Sequence, residues 1–253
     1  MHPHLDKLQF GPTGVTNQNS KGIVMIVVSS YVADAKDLLN RLGVNQAPHG
    51  VWELTDIETA SQGYVHHSQM PAALAAYAAV NATFVAGRFP GYLLRDMVAK
   101  VPAMDYAEHA ALAMVCGSAV PSFEGSDARA RIFGLAVWNI VKTYKLEGCF
   151  LRFDPPSPGN GDHYSLRPRG IDWAGEWDVL PDEIKALRKS YRAMSPLQKV
   201  MVLTIMRLYN QSKDNTYLTG CPTKIPASDA MTILRDNGAL PAWGHLVTHY
   251  AGW

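Results

Sequence analysis

The chain has 253 residues, 47% of them hydrophobic and 18% charged, which is enough apolar content for a substantial core, as one large domain or two small ones. Lys and Arg number 23 against 22 Asp and Glu, a formal charge of +1, so no broad positive field exists to gather nucleic acid or anionic lipid. Cys116, Cys149 and Cys221 are widely separated, match neither a zinc spacing nor a disulfide framework, and point to a reducing compartment.

Residues 1–20, with Pro3, Pro12 and several Asn and Gln, read as an extended arm. They lack the basic-then-apolar order of a secretory signal, so the expected location is the cytoplasm as synthesised, with any export using another route. Ile23-Val24-Met25-Ile26-Val27-Val28 is unbroken and β-branched and predicts a short buried strand; Gly22 to Val28 is too short to span a bilayer. From Tyr31, the residues Val32, Ala35, Leu38, Leu39 and Leu42 recur at helical spacing, with Asp34 and Asp37 early, Arg41 late and Gly43 as the stop. Pro48 suits the first position of a second helix, in which Val51, Leu54 and Ile57 line one side. That helix is expected to end near Gly63 and to carry Glu58 beside its buried stripe.

Further helices are predicted from Ala72 to Ala86, Tyr92 to Val101, Tyr106 to Val120 and Asp127 to Lys145, followed by a second small β element at Cys149 to Phe153. Asp154 to Gly170, DPPSPGNGDHYSLRPRG, is too rich in Pro, Gly and Asn for a helix and makes a poor central strand. It is either a linker between a mainly helical part, 21–153, and a C-terminal helical part, 171–253, or a long functional loop. Beyond it lie helices from Pro181 to Lys189, from Ser195 to Asn210 with Ser195 as cap, and from Ser228 to Asn237 with Gly238 as stop. Trp243, Tyr250 and Trp253 are expected to pack the C-terminus down. The predicted fold class is mainly α with a small N-terminal β element.

Glu58 is the leading chemical candidate. Screened from water by Trp52, Ile57 and Tyr64, its carboxyl would hold a proton near neutral pH and serve as a general acid. The alternative is a capping or surface role, paired with His66 or His67. The order RLGVNQAPHGVWELTDIETASQGYV, Arg41 to Val65, resembles the start of the lysozyme-like muramidases of phage endolysins and cell-wall toxins. In that family a Leu-Gly-Val helix end precedes a helix finishing in Glu-Ser or Glu-Thr, then Gly and an aromatic. The resemblance implies a lysozyme-like helical domain in which Glu58 is the catalytic acid and Gly63 and Tyr64 form the adjoining turn. Tyr209-Asn210, with Tyr217 after it, is similar to the Tyr-Asn pair those folds present near the sugar. The implied activity is hydrolysis of peptidoglycan glycan strands without a cofactor, and an immunity or delivery protein is an expected further partner. A second carboxylate is expected in many such mechanisms, with Asp162 as the candidate.

Asp162 and His163, with Arg167 and Arg169 behind them, form a mix able to bind a phosphate, a carboxylate or a sugar; the alternative is a solvated linker. His49, His66, His67, His109 and His163 show no HExxH or HxH spacing, so they are expected to be surface or loop residues and no metal is expected. Cys116 and Cys149 lie in apolar surroundings and read as small buried hydrophobes. Cys221, in Gly220-Cys221-Pro222, is the thiol expected to be exposed. With His245 or His249 beside it, a cysteine amidase or peptidase is a second reading. A non-enzymatic binding or assembly protein is a third.

Overall fold

The computed structural model describes residues 32–42, 45–46, 52–53, 70–80, 93–122, 126–152, 166–170, 179–209 and 217–250. The fold is mainly helical. Residues 32–41 form α1, whose Ala35, Leu38, Leu39 and Leu42 are buried as their spacing predicts. An i,i+4 pair of Asp37 and Arg41 lies on its exposed face at 3.0 Å. The predicted strand at Ile23 to Val28 lies outside the described residues.

The helix expected from Pro48 is corrected at its start. Asn45–Gln46 (β1) and Trp52–Glu53 (β2) pair antiparallel, Asn45 opposite Glu53 and Gln46 opposite Trp52. The three-residue recurrence of Val51, Leu54 and Ile57 mimics a helix face, whereas Gly50 and an aromatic suit a hairpin equally well. At Trp52–Glu53 the pairing with Asn45–Gln46 decides for a strand, and the rest of the predicted helix, residues 48–51 and 54–63, lies outside the described residues.

Met70–Val80 (α2) is alanine-rich and buried from Met70 through Ala78, and these small side chains let it pack closely against two later helices. The helix expected from Tyr92 to Val101 is shorter, running Leu94–Val98 (α3), with a 3₁₀ turn at Val101–Ala103 where Pro102 cannot continue α-helical bonding. Tyr106–Cys116 (α4) starts at a capping box: Glu108 N–H donates to Asp105 Oδ1 at 2.9 Å, and Asp105 N–H donates to Glu108 Oε2 at 2.9 Å. It stops at Cys116 rather than running to Val120, because Gly117 takes the left-handed conformation at φ 69°.

Ser126–Thr143 (α5) leads to Phe150–Arg152 (β3), which pairs antiparallel with Leu166–Pro168 (β4), Phe150 opposite Pro168 and Arg152 opposite Leu166. The end of the Pro/Gly-rich segment is thus a strand, which the sequence reading did not expect. Pro168 is tolerated because, among the described residues, the sheet has two strands, so each is an edge strand. Residues 154–165 lie outside the described residues.

Pro181–Ala193 (α6) is longer than predicted. Pro196–Tyr209 (α7) follows with a reciprocal cap, in which Gln198 N–H donates to Ser195 Oγ at 3.3 Å and Ser195 N–H to Gln198 Oε1 at 2.9 Å. Ala227–Asp236 (α8) ends before Gly238 at φ 64°, and Leu240–Thr248 (α9) is a last helix that the sequence reading did not predict.

One hydrophobic cluster runs from Ala35 to Tyr250. In it α2 packs on α4 and α8, α9 packs on α4 and α5, and α7 lies against α3 and α8. Arg235 donates to the Ala78 carbonyl at 2.9 Å, tying the end of α8 to the end of α2. At the centre Trp243, Thr204, Val200 and Ile205 are wholly buried. No helix among the described residues is long and apolar enough to cross a membrane.

Candidate functional site

Glu58, Tyr64, Asn210, Asp162 and His163 lie outside the described residues. Their flanks are described. β2 ends at Glu53, five residues before Glu58, and the buried end of α7 stands immediately before Asn210. Tyr209 is only 6% exposed, and its ring lies 5.9 Å from that of Phe133, which in turn meets Tyr250 edge-on at 5.4 Å. Tyr209 therefore belongs to the core and fixes the end of α7, rather than offering its face to a ligand.

The thiols separate into two environments. Cys116 is buried at the end of α4 directly beneath Gly244 of α9, and desolvation drives its pKa far up. Cys149 is also fully buried, and burial pushes its thiol up to about 12. Neither can serve as a thiolate nucleophile at neutral pH. Cys221 is half-buried against α6, its Sγ 4.0 Å from the Arg188 carbonyl, while His245 and His249 sit on α9 against α4 and α5. No described contact joins Cys221 to either imidazole, so the structure brings no Cys/His pair together among the described residues.

Packing does assemble a polar cluster that the sequence reading missed. His109 is 7% exposed, which corrects its expected surface position; its Nδ1 donates to the Asp105 carbonyl at 2.9 Å and its Nε2 has no hydrogen-bond partner among the described residues. The rings of His245 and His249 meet at a tilt of 44° with centroids 4.1 Å apart, and His249 Nδ1 donates to the His245 carbonyl at 2.9 Å. Arg129 of α5 reaches across to the Tyr250 carbonyl at 3.0 Å. Burial lowers the pKa of all three imidazoles, and the Arg129 charge lowers those of His109 and His249 further. His245, half-buried and facing His249, is pushed down to about 4. The spacing of His245 and His249, one helical turn apart, was a readable signal; the approach of His249 to Arg129 depends on tertiary packing and had none.

These imidazoles are neutral acceptors near neutral pH, held among apolar side chains. Among the described residues no three His, Cys, Asp or Glu side chains converge to hold a metal ion. No protein family, curated protein or solved structure matches the chain.

Proposed function

We propose that the chain is a lysozyme-like hydrolase of peptidoglycan glycan strands in which Glu58 protonates the glycosidic oxygen. The observation that carries this reading is the Arg41 to Val65 sequence, with its Leu-Gly-Val helix end, Glu58-Thr59, Gly63 and Tyr64. The mainly helical architecture is compatible with it, and α1 ends at Arg41, directly before the Leu42-Gly43-Val44 of the pattern. Trp52–Glu53, which end five residues before Glu58, form β2, and Glu58 itself lies outside the described residues.

Tyr64, Asn210, Asp162 and His163 are the sugar contacts in this reading, with Tyr209 as the buried anchor behind Asn210. Asp162 is the candidate second carboxylate. The depressed acidity of Cys116 and Cys149 argues against thiol catalysis at those two positions. Zymography on purified peptidoglycan with wild type, Glu58→Gln and Cys221→Ala tests the assignment. Clearing lost only in Glu58→Gln supports it, clearing lost only in Cys221→Ala supports a cysteine hydrolase, and no clearing by wild type supports a binding or assembly role.

A further inference from the structure

The middle and the end of α9 are held by contacts of different kinds. Its middle is pinned by Trp243, whose indole N–H donates to Thr204 Oγ1 at 3.0 Å with both side chains wholly buried. Its last turn is bonded more loosely. There His249 N–H reaches the His245 carbonyl at 3.3 Å and Tyr250 N–H the Val247 carbonyl at 3.4 Å, whereas Trp243 N–H reaches the Ala239 carbonyl at 3.0 Å. Two contacts clamp this turn onto α5: Arg129 donates to the Tyr250 carbonyl at 3.0 Å, and the Tyr250 ring meets Phe133 edge-on at 5.4 Å. Directly before the clamp stand His245 and His249, with ring centroids 4.1 Å apart.

We propose that the last turn of α9, His245 to Tyr250, is an acid-operated latch, closed on α5 while its imidazoles are neutral and released when they take up protons. Two imidazolium rings in contact repel each other, and the Arg129 guanidinium, held at the carbonyl of the next residue, repels a charge on His249. Among the described residues no carboxylate offsets these charges. Asp105 and Glu108, at the start of α4, act on His109 and on neither ring of α9; Lys199 and Arg207 of α7 and Asp229, Arg235 and Asp236 of α8 act on neither. The His245 carbonyl favours an imidazolium at His249, but burial outweighs it and holds both rings below the ordinary 6.5. In water each ring regains its ordinary pKa, so the closed turn is fully favoured above about pH 6.5 and loses ground as pH falls toward about 4. Opening breaks the Arg129–Tyr250 bond, withdraws Tyr250 from Phe133 and uncovers the apolar surface that Phe133 shares with Tyr209 at the end of α7. The Trp243–Thr204 bond holds no group that titrates in this range, so the middle of α9 stays in place.

The test is hydrogen exchange of the full-length protein, followed amide by amide and corrected for the intrinsic effect of pH on exchange. Between about pH 7.5 and pH 5 the amides of His249 and Tyr250 should come to exchange at least about tenfold faster in wild type, while those of α7 keep their protection. His245→Asn and His249→Asn together should remove that acceleration. Arg129→Met, which cuts the clamp itself, should show fast exchange at the end of α9 already at about pH 7.5. Imidazole ring protons followed by NMR in wild type should titrate below about pH 6.5 in step with the exchange, which keeps the proposal testable if the double variant does not fold. Exchange at the end of α9 that ignores pH, acceleration shared equally by α7, an undiminished pH response in the double variant, or Arg129→Met as protected as wild type at about pH 7.5 overturns it.

Discussion

The indole of Trp243 on α9 donates to the hydroxyl of Thr204 on α7 at 3.0 Å, and that hydroxyl donates in turn to the Val200 carbonyl at 2.9 Å, with both side chains completely buried. A single hydroxyl thereby satisfies the one polar atom of the largest buried side chain and fixes the last helix to the middle of the fold. Thr204→Val keeps the volume but leaves the indole N–H without an acceptor, and is expected to cost about 1–3 kcal/mol. Thr204→Ser retains both bonds, loses one methyl group, and should cost roughly 1 kcal/mol. Urea denaturation separates the two; equal losses would show that methyl packing and not the hydrogen bond matters.

Gly244 faces Cys116 where α9 crosses α4. A Cβ there would overlap Cys116 Cβ and stand 3.0 Å from its Sγ. Gly244→Ala is therefore destabilising by about 1–3 kcal/mol despite the higher helix propensity of Ala. Combined with Cys116→Gly, which removes the opposing Cβ, the loss should be smaller than the sum of the two single changes. Additive losses in thermal unfolding would contradict this contact.

Stability should depend on pH through three histidines, His109 and His249 buried and His245 half-buried. His109, His245 and His249 all have folded pKa values below the ordinary 6.5, His245 reaching about 4, so the unfolded chain takes up protons before the folded one does. Their contribution is complete above about pH 6.5 and is lost as pH falls from there toward about 4. Unfolding midpoints between about pH 7.5 and pH 5 should fall in wild type and fall less in His245→Asn. An identical pH profile in the variant would remove His245 from this account.

The sequence made some elements legible and hid others for physical reasons. The Ser195-Pro196 start of α7 was readable because cap chemistry and an apolar stripe agree at one place. α9 was not, since Pro241 and Gly244 both look like breakers. Pro241 is in fact tolerated in the first turn, and Gly244 is required by the crossing with Cys116. At β2 two local patterns competed, and the pairing partner that decides between them sits six to eight residues earlier in the chain. The imidazoles around Arg129 had no local signal, because Arg129 lies 20 positions after His109 and 120 before His249, and only packing of α4, α5 and α9 brings them near one another.

The glycosidase reading is tested most directly by the reducing ends released from peptide-stripped peptidoglycan glycan strands, comparing wild type with Glu58→Gln. Loss of a general acid is expected to slow release by about 10²–10⁴-fold while the variant keeps the unfolding midpoint of wild type. Undiminished release by Glu58→Gln, or no release by wild type, would contradict the account.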